Sequence, residues 1–228
     1  MSGLVRTPLA HQVYRELRDK IISGQLPSGS RLLPEGLAES MSISQTPVKE
    51  ALVRLEADGL VEAPTRRGAT VRRFTAKDLD QLYEARILIE LHALRASFDA
   101  ARITPAVIAD LNAIQADHKV QVGKRTLDGL ANALALDRAF HGTIVRLCGN
   151  DFIADWHNKI MQQTHTIMVY SFDHYPAEPT ASEHSEITVA LAGDDRQAAL
   201  SSLRQHLVRS RKDMMAHFFK EEADISED

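Results

Sequence analysis

Apolar residues recur at three- and four-residue spacing along most of the chain, and breaks in that rhythm divide it into helices. Thr7-Pro8 offers a cap and a first-turn proline, after which Leu9, Val13, Leu17 and Ile21 form one stripe. Gly24 closes this helix, and the run 25–30, with Pro27 and Gly29, is a turn-rich connector. A short helix is expected around Pro34–Glu39, carrying Leu37 and Ala38. Met41-Ser42-Ile43 makes a tight turn, and Ser44 is expected to cap a further helix with Pro47 in its first turn. Val48, Leu52 and Leu55 form its buried stripe, and Gly59 stops it. Two short strands follow, Leu60–Ala63 and Ala69–Arg73, joined through Pro64-Thr65-Arg66-Arg67-Gly68 as a hairpin with a basic tip.

From Thr75 onward the rhythm is helical throughout. Thr75 and Asp78 have capping-box spacing and open a helix to about Ala100. Further helices are predicted from Thr104-Pro105 to about Val122, over roughly Thr126–Cys148, and from about Phe152 to Tyr170. Two more run over about Ser182–Ala192 and Asp194–Phe219, with a break at Gly193. Phe172–Ser182, with Pro176 and Pro179, is expected to be a loop, and the acidic tail Lys220–Asp228 to fray. The fold class is therefore mainly α. A winged helix-turn-helix with a small β-hairpin wing occupies 1–74, and an all-α six-helix bundle occupies 75–228.

Composition narrows the class without naming a chemistry. The 228 residues are 44% hydrophobic and 25% charged, which is ordinary for a globular chain. A single cysteine, Cys148, excludes a disulfide framework and a thiolate zinc finger. MSGLVRTPLAHQ has no signal-peptide pattern, and no apolar run approaches the roughly 18 residues of a membrane span, so a cytoplasmic protein with no membrane partner is expected. The net charge of −4 hides an asymmetry: residues 1–75 hold eleven Lys/Arg against eight Asp/Glu, while the rest hold sixteen against twenty-three. A basic first third suits a polyanionic partner.

Helix, tight turn, helix and basic hairpin stand in the order a major-groove reader needs. Ser44, Gln45 and Thr46 begin the reading helix, where side chains and helix-end N–H groups meet phosphates and base edges. Lys49 lies one turn on, and Arg54 further along would reach only the backbone of the duplex. Arg66, Arg67 and Gly68 form the wing tip, where cations approach a narrow, negative minor groove. Taken singly, each residue reads equally well as a cap, a solvated cation or a loop decoration; their order gives them joint meaning.

The helix Thr126–Cys148 carries Leu130, Leu134, Asp137, His141, Ile144 and Cys148 on one face, so a carboxylate and an imidazole interrupt a core stripe. His184 does the same beside Ile187 and Leu191, and His206 beside Ala199 and Leu203. Stranding such groups in an apolar interior costs several kcal/mol. One carboxylate and three imidazoles converging in a bundle suit a divalent metal, Zn or alternatively Ni, Mn or Fe. A single such histidine is more often a satisfied core residue, and His11, His92, His118, His157, His165, His174 and His217 are read that way. Arg86 lies inward with Leu79, Leu82, Tyr83, Ile89 and Ala93, either in an internal salt bridge with Glu90 or Asp137 or as a fork for a carboxylate ligand.

The run 21–32, Leu37-Ala38, Ser44-Gln45-Thr46-Pro47-Val48-Lys49-Glu50-Ala51-Leu52 and Leu55-Glu56-Ala57-Asp58-Gly59-Leu60 resemble the N-terminal domain of GntR-family transcriptional regulators. Asp137-Arg138-Ala139-Phe140-His141, Gly149-Asn150, Glu183-His184, Gly193-Asp194 and His206-Leu207 resemble the FadR-type (FCD) branch, and the helix count its VanR-like subgroup. The resemblance implies a homodimeric repressor on a short palindromic DNA operator. It also implies a divalent metal at Asp137, His141, His184 and His206, and an effector pocket using Arg86 of Glu84-Ala85-Arg86…Glu90. A small organic acid held by Arg86 and the metal is the consistent effector. The chain departs from the family pattern at Gln45 and Lys49, where Arg is usual, and at Glu35, where Arg is frequent. Gln matches adenine where Arg matches guanine. Three other readings stay open: a purely structural metal, a metal-dependent hydrolase-like enzyme, and an organic acid held by Arg86 with no metal. A regulator rather than an enzyme is the reading carried forward.

Overall fold

The computed structural model describes residues 9–65, 68–124, 126–170 and 177–225. The chain divides into two compact units, Met1–Arg73 and Phe74–Asp228. In the first, α1 (Leu9–Ile22), α2 (Pro34–Ser40) and α3 (Gln45–Ala57) enclose a core with β1 (Arg31–Leu32), β2 (Val61–Thr65) and β3 (Gly68–Val71). Leu17 and Ile21 of α1 meet Val48, Leu52 and Leu55 of α3, and Leu60 and Val71 close the cluster. Tyr14 ties α1 to the end of α3 by donating to Asp58 Oδ2 at 2.5 Å.

The strands form an antiparallel sheet in the order β1-β3-β2. β1 lies inside the stretch read as a connector and its continuation. Two residues have no periodicity to read; Arg31 and Leu32 become a strand only because Thr70 and Ala69 pair with them. The hairpin strands sit slightly differently from expectation, at Val61–Thr65 and Gly68–Val71, with an irregular register between Glu62 and Thr65. Arg66 and Arg67 lie outside the described residues. Gly68 adopts φ +111°, and a Cβ there would come within 2.5 Å of the Leu32 carbonyl oxygen, so glycine lets β1 and β3 approach.

The turn before α3 places Ser42 at φ 54°. Ser44 occupies the N-cap in extended conformation, but contrary to expectation its side chain makes no capping hydrogen bond. At the other end Gly59 takes φ 72°, and the N–H groups of Gly59 and Leu60 donate to the carbonyls of Glu56 and Leu55. This closes α3 in the left-handed manner that glycine favours.

Among the described residues the second unit is six helices and no strand: α4 (Ala76–Asp99), α5 (Pro105–Gly123), α6 (Leu127–Arg146), α7 (Asp151–Tyr170), α8 (Ala177–Ala192) and α9 (Arg196–Ile225). Thr75 and Asp78 make the full reciprocal capping box at the start of α4. Helix α4 packs against α6, α7 and α9, while α5 packs against α6 and α8, and α8 against α9. Two apolar clusters result. One gathers Leu91, Leu94, Phe140, Ile144, Ile187 and Leu203; the other gathers Leu79, Tyr83, Leu130, Leu134, Ile167 and Met214. On α4 and α6 the stripe passes from one cluster to the other through buried polar residues: Arg86 and Glu90 on α4, Asp137 and His141 on α6.

Three boundaries differ from the sequence reading. Helix α8 already includes residues 177–182, because Pro179 falls in the first turn, where its missing N–H has no helical acceptor to lose; residues 171–176 lie outside the described set. Helix α9 continues to Ile225 rather than fraying from Lys220, in keeping with the helix propensity of Lys220-Glu221-Glu222-Ala223. Helix α6 ends at Arg146, so Cys148 lies beyond it and is only half-buried, not part of the core stripe.

Candidate metal centre and DNA-reading surface

Asp137 and His141 stand one turn apart on α6, His184 comes from α8 and His206 from α9; all four side chains are buried. One potential ligand atom of each lies within 4.8 Å of every other. His141 Nε2 is 3.3 Å from His184 Nε2, 3.2 Å from His206 Nε2 and 3.6 Å from Asp137 Oδ1. Asp137 Oδ1 is 3.4 Å from His184 Nε2. A metal–nitrogen bond of about 2.1 Å places adjacent donors about 3.0 Å apart at right angles and about 3.4 Å apart in a tetrahedron. Four of the six donor pairs, at 3.2–3.6 Å, lie close to that spacing, and the donor set is nitrogen and oxygen without thiolate, so the residues fit a single divalent cation.

A second layer decides which way these rings face. Glu90 Oε2 accepts from His141 Nδ1 at 2.6 Å, and Glu183 Oε2 accepts from His206 Nδ1 at 2.7 Å. An ionised carboxylate only accepts, so both Nδ1 atoms carry the hydrogen. Asp137 Oδ2 accepts from His165 Nε2 at 3.0 Å, which leaves Oδ1 turned to the imidazoles. The His184 ring lies on the Phe140 ring.

Electrostatics follow from the same contacts. Burial alone would raise the Asp137 carboxyl, but attraction to His141, the hydrogen bond from His165 and the nearby His184 hold it well below the usual carboxylate range. Glu90 is likewise held low against burial, by His141 and by Arg86. Burial and the charge of His206 push His184 well down, and burial pushes His165 down to about 4 against the pull of Asp137.

Arg86 is buried, and its partner is Glu90: Nε donates to Glu90 Oε1 at 2.9 Å. Its Nη2 is buried with no hydrogen-bond partner among the described residues. His157 Nε2 also lies 3.2 Å from Glu90 Oε1. Sequence reasoning missed the service of Glu183, His157 and His165 and assigned Glu90 only to Arg86. One signal was available on α7, where His157, Met161 and His165 share a stripe at four-residue spacing and all are buried.

On α3 the side chains of Ser44, Gln45, Thr46 and Lys49 are all exposed. Arg54 is exposed but turned onto α1: Nη1 is 3.0 Å from His11 Nδ1, and the guanidinium carbon is 4.5 Å from the Tyr14 ring centroid. Arg54 thus rests on an aromatic face of α1 while remaining exposed. Glu35 is exposed in the first turn of α2.

Comparison with known proteins agrees with this architecture. Residues 9–71 match the model of bacterial regulatory proteins of the gntR family, and residues 81–209 match that of the FCD domain. YdhC of Bacillus subtilis, an uncharacterized HTH-type transcriptional regulator, is 28% identical over 202 residues, 88% of each chain. The gluconate operon transcriptional repressor of Bacillus licheniformis is 28% identical over 213 residues, 89% of this chain and 84% of its own. Among solved structures, E. coli McbR/YncC has the same fold with a TM-score of 0.80 at 21% identity, covering 93% of this chain and 100% of that one. The chain belongs to the gntR family of bacterial regulatory proteins, in the branch that carries an FCD domain, and is a DNA-binding transcriptional regulator.

Proposed function

We propose that this regulator is a cytoplasmic homodimeric repressor of a palindromic operator. Its DNA affinity is set by a small organic acid bound at a divalent metal, Zn or alternatively Ni, Mn or Fe, held by Asp137, His141, His184 and His206. One observation carries the metal. The Nε2 atoms of His141 and His206 face each other at 3.2 Å, while their Nδ1 atoms are committed to Glu90 and Glu183. With both rings neutral, two lone pairs oppose each other at that distance, sealed from water, and a metal cation bound between them removes the repulsion.

The effector reading rests on Arg86, whose buried Nη2 lacks a partner among the described residues. A guanidinium with an unmet donor suits a carboxylate. One relative is named for a gluconate operon, and gluconate is a carboxylate. At the DNA, Ser44, Gln45, Thr46 and Lys49 meet the groove, with Ser44 free of capping duty. Gly68 opens strand β3 of the wing, Arg66 and Arg67 precede it in the sequence and are read as further contacts to the duplex, and Arg54 reaches phosphate only by leaving α1.

The test combines elemental analysis of purified protein with operator binding followed by fluorescence anisotropy, with and without chelator and citrate. The reading expects about one metal per chain and an operator affinity that citrate shifts only in the metal-loaded protein. A structural metal is the second reading, favoured by the presence of four protein donors, enough to fill a tetrahedron. In that case chelation lowers the melting temperature while the response to organic acid persists.

A further inference from the structure

Each of two imidazoles in the cluster is held by a carboxylate that an arginine also holds. Arg86 Nε donates to Glu90 Oε1 at 2.9 Å, and Glu90 Oε2 accepts from His141 Nδ1 at 2.6 Å. Arg209 donates to Glu183 Oε1, and Glu183 Oε2 accepts from His206 Nδ1 at 2.7 Å. The two relays differ in their outer ends. Arg209 is 55% exposed, so water screens it, whereas the side chains of Arg86 and Glu90 are 1% and 0% exposed.

We propose that Glu90 is a positioning residue that couples Arg86 to the metal cluster. It fixes His141 as the tautomer with a free Nε2 and passes any change in the charge on Arg86 to the donor strength of that nitrogen. The inference rests on the metal-binding reading given above and adds a route by which an anion at Arg86 changes metal affinity without touching the ion.

The chemistry is specific to a carboxylate at this position. Its two oxygens accept from Arg86, His141 and His157, which stand on three different helix positions. A carboxamide has one acceptor oxygen and one donor amine. If the oxygen faces His141, the amine opposes the Nε–H of Arg86; if the amine faces His141, that ring accepts at Nδ1 and carries its hydrogen on Nε2, where it cannot ligate a metal. Outer carboxylates of this kind alter metal affinity by about 10- to 100-fold. The coupling has a defined sign. Guanidinium draws charge from Glu90, so an anion that shares Arg86 returns charge to the His141 hydrogen bond and tightens metal binding. The linkage is reciprocal, and bound metal tightens the anion by the same factor.

The experiment is a double-mutant cycle on the full chain, read as zinc affinity by chelator competition without organic acid. Glu90→Gln is expected to weaken zinc by about 10- to 100-fold. Arg86→Met is expected to tighten zinc at least about threefold alone, and to change it by less than about twofold when combined with Glu90→Gln, the non-additivity of residues in one network. Equal effects of Arg86→Met in both backgrounds overturn the relay, since the arginine would then act through space. Zinc affinity unchanged in Glu90→Gln overturns it as well. A wild-type chain that binds no divalent metal defeats the metal reading itself, which keeps the two failures distinct. Should a variant not fold, 15N-resolved ring signals of the metal-free wild type decide: His141 protonated on Nδ1 and strongly downfield is expected, and His141 protonated on Nε2 overturns the proposal.

Discussion

The rings of Phe140 and His184 stack with centroids 4.2 Å apart and planes 14° from parallel. Helix α6 therefore contributes Asp137 and His141 and also the wall that orients the imidazole arriving from α8. Replacing Phe140 by Leu keeps an apolar side chain there but removes the stacked face. Such contacts contribute about 0.5–1.5 kcal/mol, so zinc affinity should fall roughly 2- to 12-fold by chelator competition, with helicity unchanged. An unaltered affinity would show that His184 is oriented without Phe140.

Removing a ligand should separate metal content from fold. His184→Ala or His206→Ala is expected to reduce metal in the purified protein from about one per chain to a small fraction, by elemental analysis. The far-ultraviolet circular dichroism should remain that of a mainly helical protein, because the flanking clusters around Phe140 and Ile187 and around Leu79 and Tyr83 are intact. Stoichiometric metal in both variants would refute the site.

Acid should weaken the metal-free protein in two stages. An imidazole in an unfolded chain binds its proton near 6.5, whereas folded His165 does so only at about 4. Between those values the unfolded state holds more protons, so stability is complete above 6.5 and declines as pH falls towards 4. For His165 alone the loss approaches roughly 3 kcal/mol at the lower end, and His184 acts in the same direction. Asp137 and Glu90, held low in the fold, add a further loss as pH falls through and below the ordinary carboxylate range. Urea midpoints in the presence of chelator at pH 8, 6.5, 5 and 4 measure this; a midpoint that rises from 6.5 to 5 contradicts it.

Lys49 is exposed one turn into α3. Lys49→Ala should weaken operator binding by about tenfold at physiological salt and reduce the slope of log affinity against log salt by about one phosphate contact. Metal content should not change. A wild-type salt slope in the variant would remove Lys49 from the phosphate contacts.

Gln45 is the first residue of α3 and is exposed there. Operator selection with Gln45→Arg should move one symmetric base pair from adenine towards guanine, with discrimination of about 1–3 kcal/mol. An unchanged consensus would show that this side chain faces phosphate.

Much of this was legible in the residue order because the signals are local. The Thr75–Asp78 capping box, the Gly59 stop and the stripe that places Asp137 and His141 together all act within a few residues, where helix geometry fixes which side chains share a face. The sequence also determined that Asp137, His141, His184 and His206 each interrupt an apolar stripe. Only the tertiary structure decided that α6, α8 and α9 bring those interruptions within 4.8 Å of one another. It alone turned Arg54 onto Tyr14, made a strand of Arg31 and Leu32, and set Glu90 and Glu183 behind the rings they orient. Glu90 and His141 are 51 residues apart, and no periodicity along a chain specifies which carboxylate will stand behind which imidazole. That pairing depends on how helices pack, and packing is settled by the whole interior at once.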